Sequence, residues 1–448
     1  MIATRPRPAV AARLRNVGFP GALAAIVLVG LGARLFYVLS SGPHVVVGGD
    51  GITYHWLANL LASGHGFIEA WAYMLQGKVK PTAEHPPLYP LLLAAVSKAG
   101  WTSWTAHRVA SCVMGTGTVA TLGFLGRRVA GQRAGLLAAA IGALYPLLII
   151  ADRTLYSESL YGLTIALAML AAYRFLERPS DRRALVLGGA IGLAALTRSE
   201  GLLLVPLLAL PVILRAATKR WRTLGLACLA TALVIAPWTL RSSLVFHRPV
   251  LLSTNLGGLL AGANCDRTYY GPYTGVWEFS CLFPQPGGKG LSVTQTATKP
   301  EDEGALAARL QHQGIDYASD HVGRLPLVVA VRVLRVWDFY RPGQGADYEA
   351  YVDGRDRSLE RAGVGIYYVL LPLAAIGVVV LRRRRAPLAV LVAPFALVTL
   401  VAALSYGVTR FRMPAEVSIV VLAAVALTAL LDHADRRRRA ARTRADSV

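Results

Sequence analysis

Long apolar stretches alternate with short polar or basic segments along the 448 residues of this chain. A helix of about 20 apolar residues crosses the hydrocarbon core of a bilayer. About ten windows of this kind predict membrane-spanning helices near residues 20–40, 105–126, 134–151, 155–176, 184–198, 200–215, 222–241, 362–381, 386–406 and 413–432. A shorter apolar stretch at 88–96 predicts a re-entrant or interfacial helix. The pattern therefore indicates an all-α polytopic membrane protein.

The composition agrees with this interpretation. Hydrophobic residues make up 54% of the chain and charged residues 16%, with a mean hydropathy of +0.47, whereas soluble proteins contain about 25% charged residues. The first apolar stretch, 21–39, follows a basic N-terminal segment. It is as long as a membrane span, whereas the apolar part of a secretory signal has about 7–15 residues. We therefore predict an uncleaved first span.

The net charge of +22 comes from basic residues that fall in the gaps between the apolar stretches. The clusters are Arg127–Arg128 with Arg133, Arg182–Arg183, Lys219–Arg220 with Arg222, Arg382–Arg385 and Arg436–Arg439. Basic loops resist translocation, so these connectors and both termini are expected in the cytoplasm, beside anionic lipid head groups. This placement predicts a multi-pass protein of the plasma (inner) membrane and argues against nucleic acid as a partner.

This topology divides the chain into four regions. Residues 1–241 form an N-terminal transmembrane module whose extracytoplasmic first loop, 41–104, is expected to be catalytic. Residues 242–361 form a small extracytoplasmic region, 362–432 the C-terminal transmembrane helices, and 433–448 a basic cytoplasmic tail.

Two of the four cysteines, Cys265 and Cys281, lie in the extracytoplasmic region. An oxidising compartment favours a disulfide between them, and two free thiols are the alternative.

The first loop contains the segment GGDGITYHWLANLLASGHGF, in which Asp50 follows two glycines and precedes Tyr54 and His55. Glycine leaves the backbone open to close approach, so the Asp50 carboxylate is well placed to act as a base. The alternative is that Asp50 caps a helix beginning near Ile52, and one residue can serve both purposes.

A second motif of the first loop, EHPPLYP, follows about thirty residues later. Its prolines fix the entry to the short apolar helix and hold Glu84 and His85 at the membrane surface. There they are within reach of a phosphate or a metal ion, unless they are only polar residues of a loop.

Acids also occur at the outer ends of later spans. Asp152 and Arg153 end the third predicted span and Glu158 enters the fourth. A carboxylate within an apolar helix needs a partner. These acids are candidate contacts for an acceptor, a sugar or a divalent cation (Mg²⁺ or Mn²⁺), and a structural Asp–Arg pair is the alternative.

Four arginines, Arg198, Arg241, Arg410 and Arg412, lie at outer helix ends. Convergence of these side chains would form a phosphate site at the bilayer surface, whereas snorkelling to the interface would scatter them around the rim. The chain contains no Walker motif, no GxGxxG after a strand and no HExxH. Nucleotide-driven and zinc-protease chemistries therefore lack their motifs.

The ordered set of motifs resembles the GT-C superfamily of glycosyltransferases, in particular its protein O-mannosyltransferase-like and aminoarabinose-transferase-like branch. The similar segments are the Asp50 loop ending in LASGHGF, then HPPLYPLLLA, YPLLIIADRTLYSESL, LTRSEGLLLVP, APWTLRSSLVFHRPVLLSTNLGG and YGVTRFRMPAEV. They follow the family's order along nearly the whole chain. The resemblance implies the GT-C fold and a sugar donor linked to a polyprenyl phosphate, used outside the cytoplasm.

The resemblance also implies roles for individual residues. An acid in the family's first external loop acts as the base, and Asp50 matches that position. His85 stands where the aminoarabinose branch has a lysine, and histidine is a weaker, pH-sensitive cation. Lys78 or Lys80 is an alternative phosphate ligand, and Arg198 is the stronger candidate. The candidate phosphate ligands are Arg198, His85, Arg241, Arg410, Arg412 and Lys80. The candidate contacts of the acceptor, the sugar or a metal ion are Tyr54, His55, Glu84, Asp152 and Glu158.

The predicted reaction is a single displacement that inverts the anomeric carbon, with an envelope glycan, a glycolipid or a protein as the extracytoplasmic acceptor. Mannose, a pentose and galactose all fit as the sugar. One alternative is a transporter or flippase of a lipid-linked or envelope precursor, which would favour repeated halves with broken helices. A non-catalytic scaffold or sugar-binding subunit is the other.

Overall fold

The computed structural model describes residues 18–40, 49–282 and 302–445. These residues form helices, and they contain no β-strand beyond an isolated bridge between Ile68 and Pro81. In chain order the α-helices are α1 (Phe19–Ser40), α2 (Gly49–Ala62), α3 (Ala70–Gln76), α4 (Leu88–Lys98), α5 (Trp104–Ala130), α6 (Gln132–Leu144), α7 (Pro146–Thr154), α8 (Glu158–Glu177), α9 (Asp181–Thr197), α10 (Leu210–Ala216), α11 (Arg220–Phe246), α12 (Leu256–Ala263), α13 (Asp266–Tyr269), α14 (Glu303–Asp320), α15 (Leu325–Val336), α16 (Pro342–Val352), α17 (Arg357–Arg383), α18 (Ala389–Leu404) and α19 (Met413–Ala445).

Seven stretches of helix among the described residues are long and apolar enough to cross a membrane, or eight if the bent pair α6 and α7 is one span. They include α1, α5, α8, α11, α17 and α19, together with Ser199–Ala216, in which 3₁₀ and π turns lead into α10. The helices α9 and α18 overlap two further predicted spans but have only 17 and 16 residues. The all-helical membrane fold is confirmed, with fewer full-length spans than predicted.

The bend between α6 and α7 explains one of the buried acids. The two helices meet at 46° where Pro146, which has no N–H, ends the first helix's hydrogen-bond ladder. The fully buried Arg34 of α1 donates to the carbonyls of Gly142 at 3.2 Å and Ala143 at 3.1 Å. Its charge is balanced by Asp152, 3.0 Å away and equally buried. This pair therefore stabilises the bend.

Small residues bring the helices into close contact. A Cβ atom added to Gly188 of α9 would lie 2.0 Å from the carbonyl oxygen of Ala227 in α11, so the two backbones touch. Such contacts are typical of helix packing in membranes, where no hydrophobic effect drives helices together.

The basic connectors lie at one end of the helical bundle. They are joined there by the ion pairs Arg128–Glu177, Arg133–Asp432 and Arg222–Asp181. The helices α2 to α4 and the described residues of the segment 242–361 lie at the opposite end of the same spans, because successive spans alternate in direction. Within that segment α12 packs on α14, and a disulfide joins Cys265 to Cys281.

Candidate active site

The first-loop acid faces an arginine from the far end of the chain. Asp50 lies in the first turn of α2, where the exposed N–H groups of a helix favour negative charge. The Arg410 Nη1 atom donates to its carboxylate across 3.2 Å. The side chain of Asp50 is 39% exposed and that of Arg410 12%. Because α2 begins at Gly49, Asp50 is inside the helix rather than its capping residue.

Arg410 belongs to the 3₁₀ turn Thr409–Arg412 between α18 and α19. Besides Asp50, its Nη1 atom lies 3.5 Å from an oxygen of Asp353, and its Nη2 atom donates to the Tyr406 hydroxyl at 3.3 Å. Its backbone N–H donates to Glu349 at 3.0 Å. The guanidinium is therefore fixed between two carboxylates at the mouth of the cleft.

Arg198 lies close to Arg410. The two guanidiniums lie 5.2 and 5.5 Å from the centroid of the same aromatic ring, that of Phe411. Arg198 donates to Glu158 at 2.7 Å and to Glu200 at 2.5 Å, and its side chain is 17% exposed. Two arginines thus converge on the cleft of Asp50, as a shared phosphate site requires and as random snorkelling would not produce.

Two further predicted residues of the first loop lie near Asp50. Tyr54 of α2 packs against His85, with ring centroids 4.7 Å apart, and both are buried. A small cavity beside them is lined by the first-loop residues Thr53, Leu57, Phe67, Ile68, Glu69, Ala70, Trp71, Thr82, Glu84 and His85, and Asp50, Arg198 and Arg410 are not among its lining residues. The structure therefore brings Glu84 and His85 next to α2, whose first turn contains Asp50.

The pKa values of Asp50, Glu84 and His85 are shifted in different directions by their surroundings. Burial would raise the pKa of Asp50, but Arg410, His85 and Arg198 outweigh it and hold the pKa below its usual value. Burial, with the charges of Asp50 and Glu69, raises the pKa of Glu84 to about 8. Burial lowers the pKa of His85. At neutral pH Asp50 is thus ionised, while Glu84 and His85 are uncharged.

His55 points away from Asp50 into a closed ring of hydrogen bonds. The contacts are Asn59 Nδ2 to His55 Nε2 at 3.4 Å, His55 Nδ1 to His107 Nδ1 at 3.0 Å, His107 Nε2 to Ser97 Oγ at 2.8 Å and Ser97 Oγ to Asn59 Oδ1 at 2.7 Å. Since Ser97 donates to Asn59, only one assignment satisfies every contact: His107 is protonated on Nε2 and His55 on Nδ1. The ring ties α2 to α4 and α5.

The remaining predicted arginines have partners elsewhere. Arg241 donates to the backbone carbonyls of Thr82 at 2.6 Å and Phe67 at 2.9 Å, and so braces the first loop against α11. Arg412 is fully buried and pairs with Asp338 and Glu416. Both are thus held by contacts that do not involve Asp50.

Three other predicted residues are held by neighbours. Asp152 is paired with Arg34 as described above, and Glu158 is the buried partner of Arg198. Lys80 lies beside Glu69, whose backbone N–H donates to the Lys80 carbonyl at 2.7 Å. Of the three, only Glu158 contacts an arginine of the Asp50 cleft.

Asp353 and Phe411 complete the cleft and were not predicted as site residues. Asp353 follows α16 in the segment ADYEAYVDGRDRSLER, where eight charged residues precede an apolar span. A dense group of acids before a span is a weak sequence signal. Only the fold shows which of these acids contacts Arg410.

The described residues do not fit a protein-bound metal ion. No three His, Cys, Asp or Glu side chains in ranges 18–40, 49–282 and 302–445 gather closely enough to hold one. The candidate ligands Asp152 and Glu158 are each engaged by an arginine. The positively charged groups nearest Asp50 include the guanidiniums of Arg410 and Arg198.

Residues 84–240 match the dolichyl-phosphate-mannose-protein mannosyltransferase family. The matched region includes Glu84, Glu158 and Arg198 but not Asp50 or Arg410. Among curated proteins, no sequence matches the chain.

Solved membrane proteins share the fold. The archaeal oligosaccharyltransferase AglB from Archaeoglobus fulgidus, in complex with an inhibitory peptide and a dolichol-phosphate, is 15% identical with a TM-score of 0.54, covering 95% of this chain and 52% of that one. The Archaeoglobus fulgidus oligosaccharyltransferase complex with Zn and sulfate is 16% identical with a TM-score of 0.51, covering 93% and 50%. The chain thus spans about half the length of these proteins.

A third solved structure, ArnT from Cupriavidus metallidurans bound to undecaprenyl phosphate, is 14% identical with a TM-score of 0.43, covering 90% of this chain and 77% of that one. The oligosaccharyltransferase likeness shows the fold, and the mannosyltransferase match covers the spans that hold Glu158 and Arg198. These findings confirm the predicted resemblance: residues 84–240 match the mannosyltransferase family, and the chain shares the fold of the oligosaccharyltransferases.

Proposed function

We propose that this protein transfers a sugar from a polyprenyl-phosphate donor to an acceptor hydroxyl, with Asp50 as the base. The main support is the ion pair between Asp50 and Arg410 at one end of the bundle. Arg198 lies near this pair, since its guanidinium and that of Arg410 both contact the ring of Phe411. Such a reaction needs cations that bind the anionic leaving group and, beside them, a base that takes the proton of the acceptor hydroxyl. The site supplies two guanidiniums as cations and the Asp50 carboxylate as the base.

Arg198 and Arg410 are the proposed ligands of the donor phosphate. Guanidinium groups bind phosphate oxygens through paired, charge-assisted hydrogen bonds. Both side chains are partly exposed, at 17% and 12%, so a phosphate can reach them. Fixed cations that stabilise charge growing on a leaving group lower the barrier to its departure.

In the proposed reaction Asp50 removes the proton from the acceptor hydroxyl. The hydroxyl oxygen forms a bond to the anomeric carbon while the bond from that carbon to the phosphate oxygen breaks. The electron pair leaves on the phosphate, which departs as polyprenyl phosphate and needs no strong acid. A single displacement of this kind inverts the anomeric configuration.

The acceptor is proposed to enter beside Glu84, His85 and Tyr54, at the small cavity of the first loop. An envelope glycan, a glycolipid or a protein fits as its source. The family that residues 84–240 match is described as acting with dolichyl-phosphate mannose on protein, which makes a mannosyl donor and a protein acceptor the first pair to test. We propose that the site lies on the extracytoplasmic side of the inner membrane, since the basic connectors lie at the other end of the bundle and basic loops stay in the cytoplasm.

The test is transfer from a panel of radiolabelled polyprenyl-phosphate sugars in membranes that contain the full chain, with extracts as acceptors. The wild type is compared with Asp50→Asn and with a matched control. The control is Asp316→Asn, which makes the same change from aspartate to asparagine at an exposed residue of α14. We expect the wild type and Asp316→Asn to transfer sugar from one donor of the panel, and Asp50→Asn to lose this transfer. A parallel sample with a chelator tests for a divalent cation. Movement of the donor across the bilayer without any transfer would contradict the proposal and favour a flippase.

A further inference from the structure

One terminal nitrogen of Arg410 lies between two carboxylates. Its Nη1 atom is 3.2 Å from Asp50 and 3.5 Å from Asp353. Asp50 must release this nitrogen to act as a base, because a carboxylate held by a guanidinium is a weaker proton acceptor. Asp353 then remains as the anion beside Arg410.

Asp353 is fixed more firmly than Asp50. Its side chain is 5% exposed, against 39% for Asp50, and it accepts a hydrogen bond from the Tyr156 hydroxyl at 2.9 Å. Glu349, in the last turn of α16 just before Asp353, also accepts the backbone N–H of Arg410. The end of α16 therefore holds both the backbone and the side chain of Arg410.

Several carboxyl groups surround Arg410 and the nearby Arg355. The charged groups that act on Asp353 are Arg410, Arg355 and Asp50, and Arg355 itself is engaged by Glu349 and Glu360. A phosphate that approaches Arg410 must therefore compete with carboxylates already present. At short range and low exposure such competition is strong, because little water screens the charges.

We propose that Asp353 is a positioning residue that competes with the phosphate of the polyprenyl carrier for Arg410. Asp353 keeps the guanidinium at the cleft when Asp50 is released, and it limits how tightly Arg410 retains the polyprenyl-phosphate product. This inference rests on the proposed function, since it takes Arg410 as a phosphate ligand. It assigns to the segment 242–361 a part in product release.

The experiment measures binding of undecaprenyl phosphate to the full-length protein in detergent, with undecaprenol as the probe that lacks the phosphate. We expect Asp353→Asn to bind the phosphate roughly tenfold more tightly, the size of effect for an ion pair worth about 1.4 kcal/mol. Undecaprenol should bind both proteins alike. The gain should shrink at high salt, as a charge effect does.

Three variants test whether the effect of Asp353→Asn comes from the lost charge beside Arg410 or from a change in the structure. Asp353→Glu keeps the anion and should bind like the wild type. Asp356→Asn is the matched control, because Asp356 also pairs with an arginine, Arg153, and makes no contact with Arg410 in the part of the chain described. In an Arg410→Gln background, Asp353→Asn should change the affinity no further.

The outcomes are distinct. A folded Asp353→Asn protein that binds undecaprenyl phosphate as the wild type does, or more weakly, would overturn the inference while leaving Asp50 and the transferase proposal untouched. A gain that persists in the Arg410→Gln background would overturn it too. Failure of the wild type to prefer undecaprenyl phosphate over undecaprenol would contradict the phosphate site itself, and with it both proposals.

Discussion

Arg410 and Asp50, 360 positions apart in the chain, are joined by a hydrogen bond of 3.2 Å. The bond links the helix after the first span to the turn before the last one, so the cleft forms only when the whole bundle is assembled. It also holds the proposed base in its ionised form. In the proposed mechanism, a phosphate replaces Asp50 at this contact during turnover.

Arg198 and Arg241 both lie at outer helix ends, but substitutions of the two should have different effects. Arg198→Gln removes a proposed phosphate ligand, so transfer should fall roughly hundredfold, as when one charge-stabilising donor is removed. Arg241→Gln removes only a brace to the carbonyls of Thr82 and Phe67. It should lower the melting temperature and leave the donor KM nearly unchanged. Steady-state kinetics and thermal melts in detergent measure both, and equal kinetic defects would refute the distinction.

Ionisation of Glu84 should lower the activity at alkaline pH and so produce an alkaline limb in the pH profile. Burial, with the charges of Asp50 and Glu69, raises the pKa of Glu84 to about 8, so the group is neutral at pH 7 and becomes negative above pH 8. A new negative charge in the cleft disfavours the anionic donor. We expect kcat/KM to fall above pH 8 in the wild type and to stay level in Glu84→Gln. A limb that persists in the variant would show that another group titrates there.

The ring formed by His55, His107, Ser97 and Asn59 should make the protein sensitive to acid. Burial, with His107 and Arg108, lowers the pKa of His55 to about 3, against about 6.5 in an unfolded chain. A depressed folded-state pKa stabilises the fold above pH 6.5, and the stability is lost as the pH falls toward 3, by up to about 1.4 kcal/mol per pH unit.

The measurement is the melting temperature between pH 7.5 and 5. The wild type should lose stability across this range. His55→Phe keeps the stacking on Trp104 but cannot be protonated. It should be less stable at pH 7.5 by about 1–3 kcal/mol and lose less on acidification. Parallel curves for the two proteins would contradict this account of the ring.

Asp152 should be needed for stability rather than for chemistry. Asp152→Ala leaves Arg34 as an unpaired buried charge at the bend of α6 and α7, a change that costs about 3–5 kcal/mol. The double variant Arg34→Met with Asp152→Leu removes both charges and should recover part of the loss. Thermal melts measure both. A stable Asp152→Ala protein that has lost only activity would assign Asp152 to the site instead.

The helices could largely be predicted from the sequence, because a bilayer demands about 20 apolar residues per span. Each predicted window falls on helix in the structure. The prediction was less good for lengths, since α9 and α18 are shorter than a full span. It also missed the bend at Pro146, where the buried Arg34 satisfies carbonyl groups that a straight helix would satisfy itself.

The cleft could be predicted only in part. Asp50 stood out because it is an acid beside a span, and Arg198 and Arg410 because they are cations at helix ends. Arg241 and Arg412 have the same sequence signal, and only their partners distinguish them. Asp353 is one acid among several in its segment, and its contact with Arg410 depends on how α16 packs. Periodicity cannot report contacts between residues so far apart in the chain.

The most direct test of the central claim compares the wild type with Asp50→Asn, using the donor that gives transfer and polyprenyl phosphate as the binding probe. Asparagine keeps the shape of the side chain but cannot accept the proton. We predict that Asp50→Asn folds, still binds polyprenyl phosphate, and loses transfer by a factor of about 10² or more, the size of general-base effects. Near-normal transfer by the folded variant would contradict the assignment of Asp50 as the base.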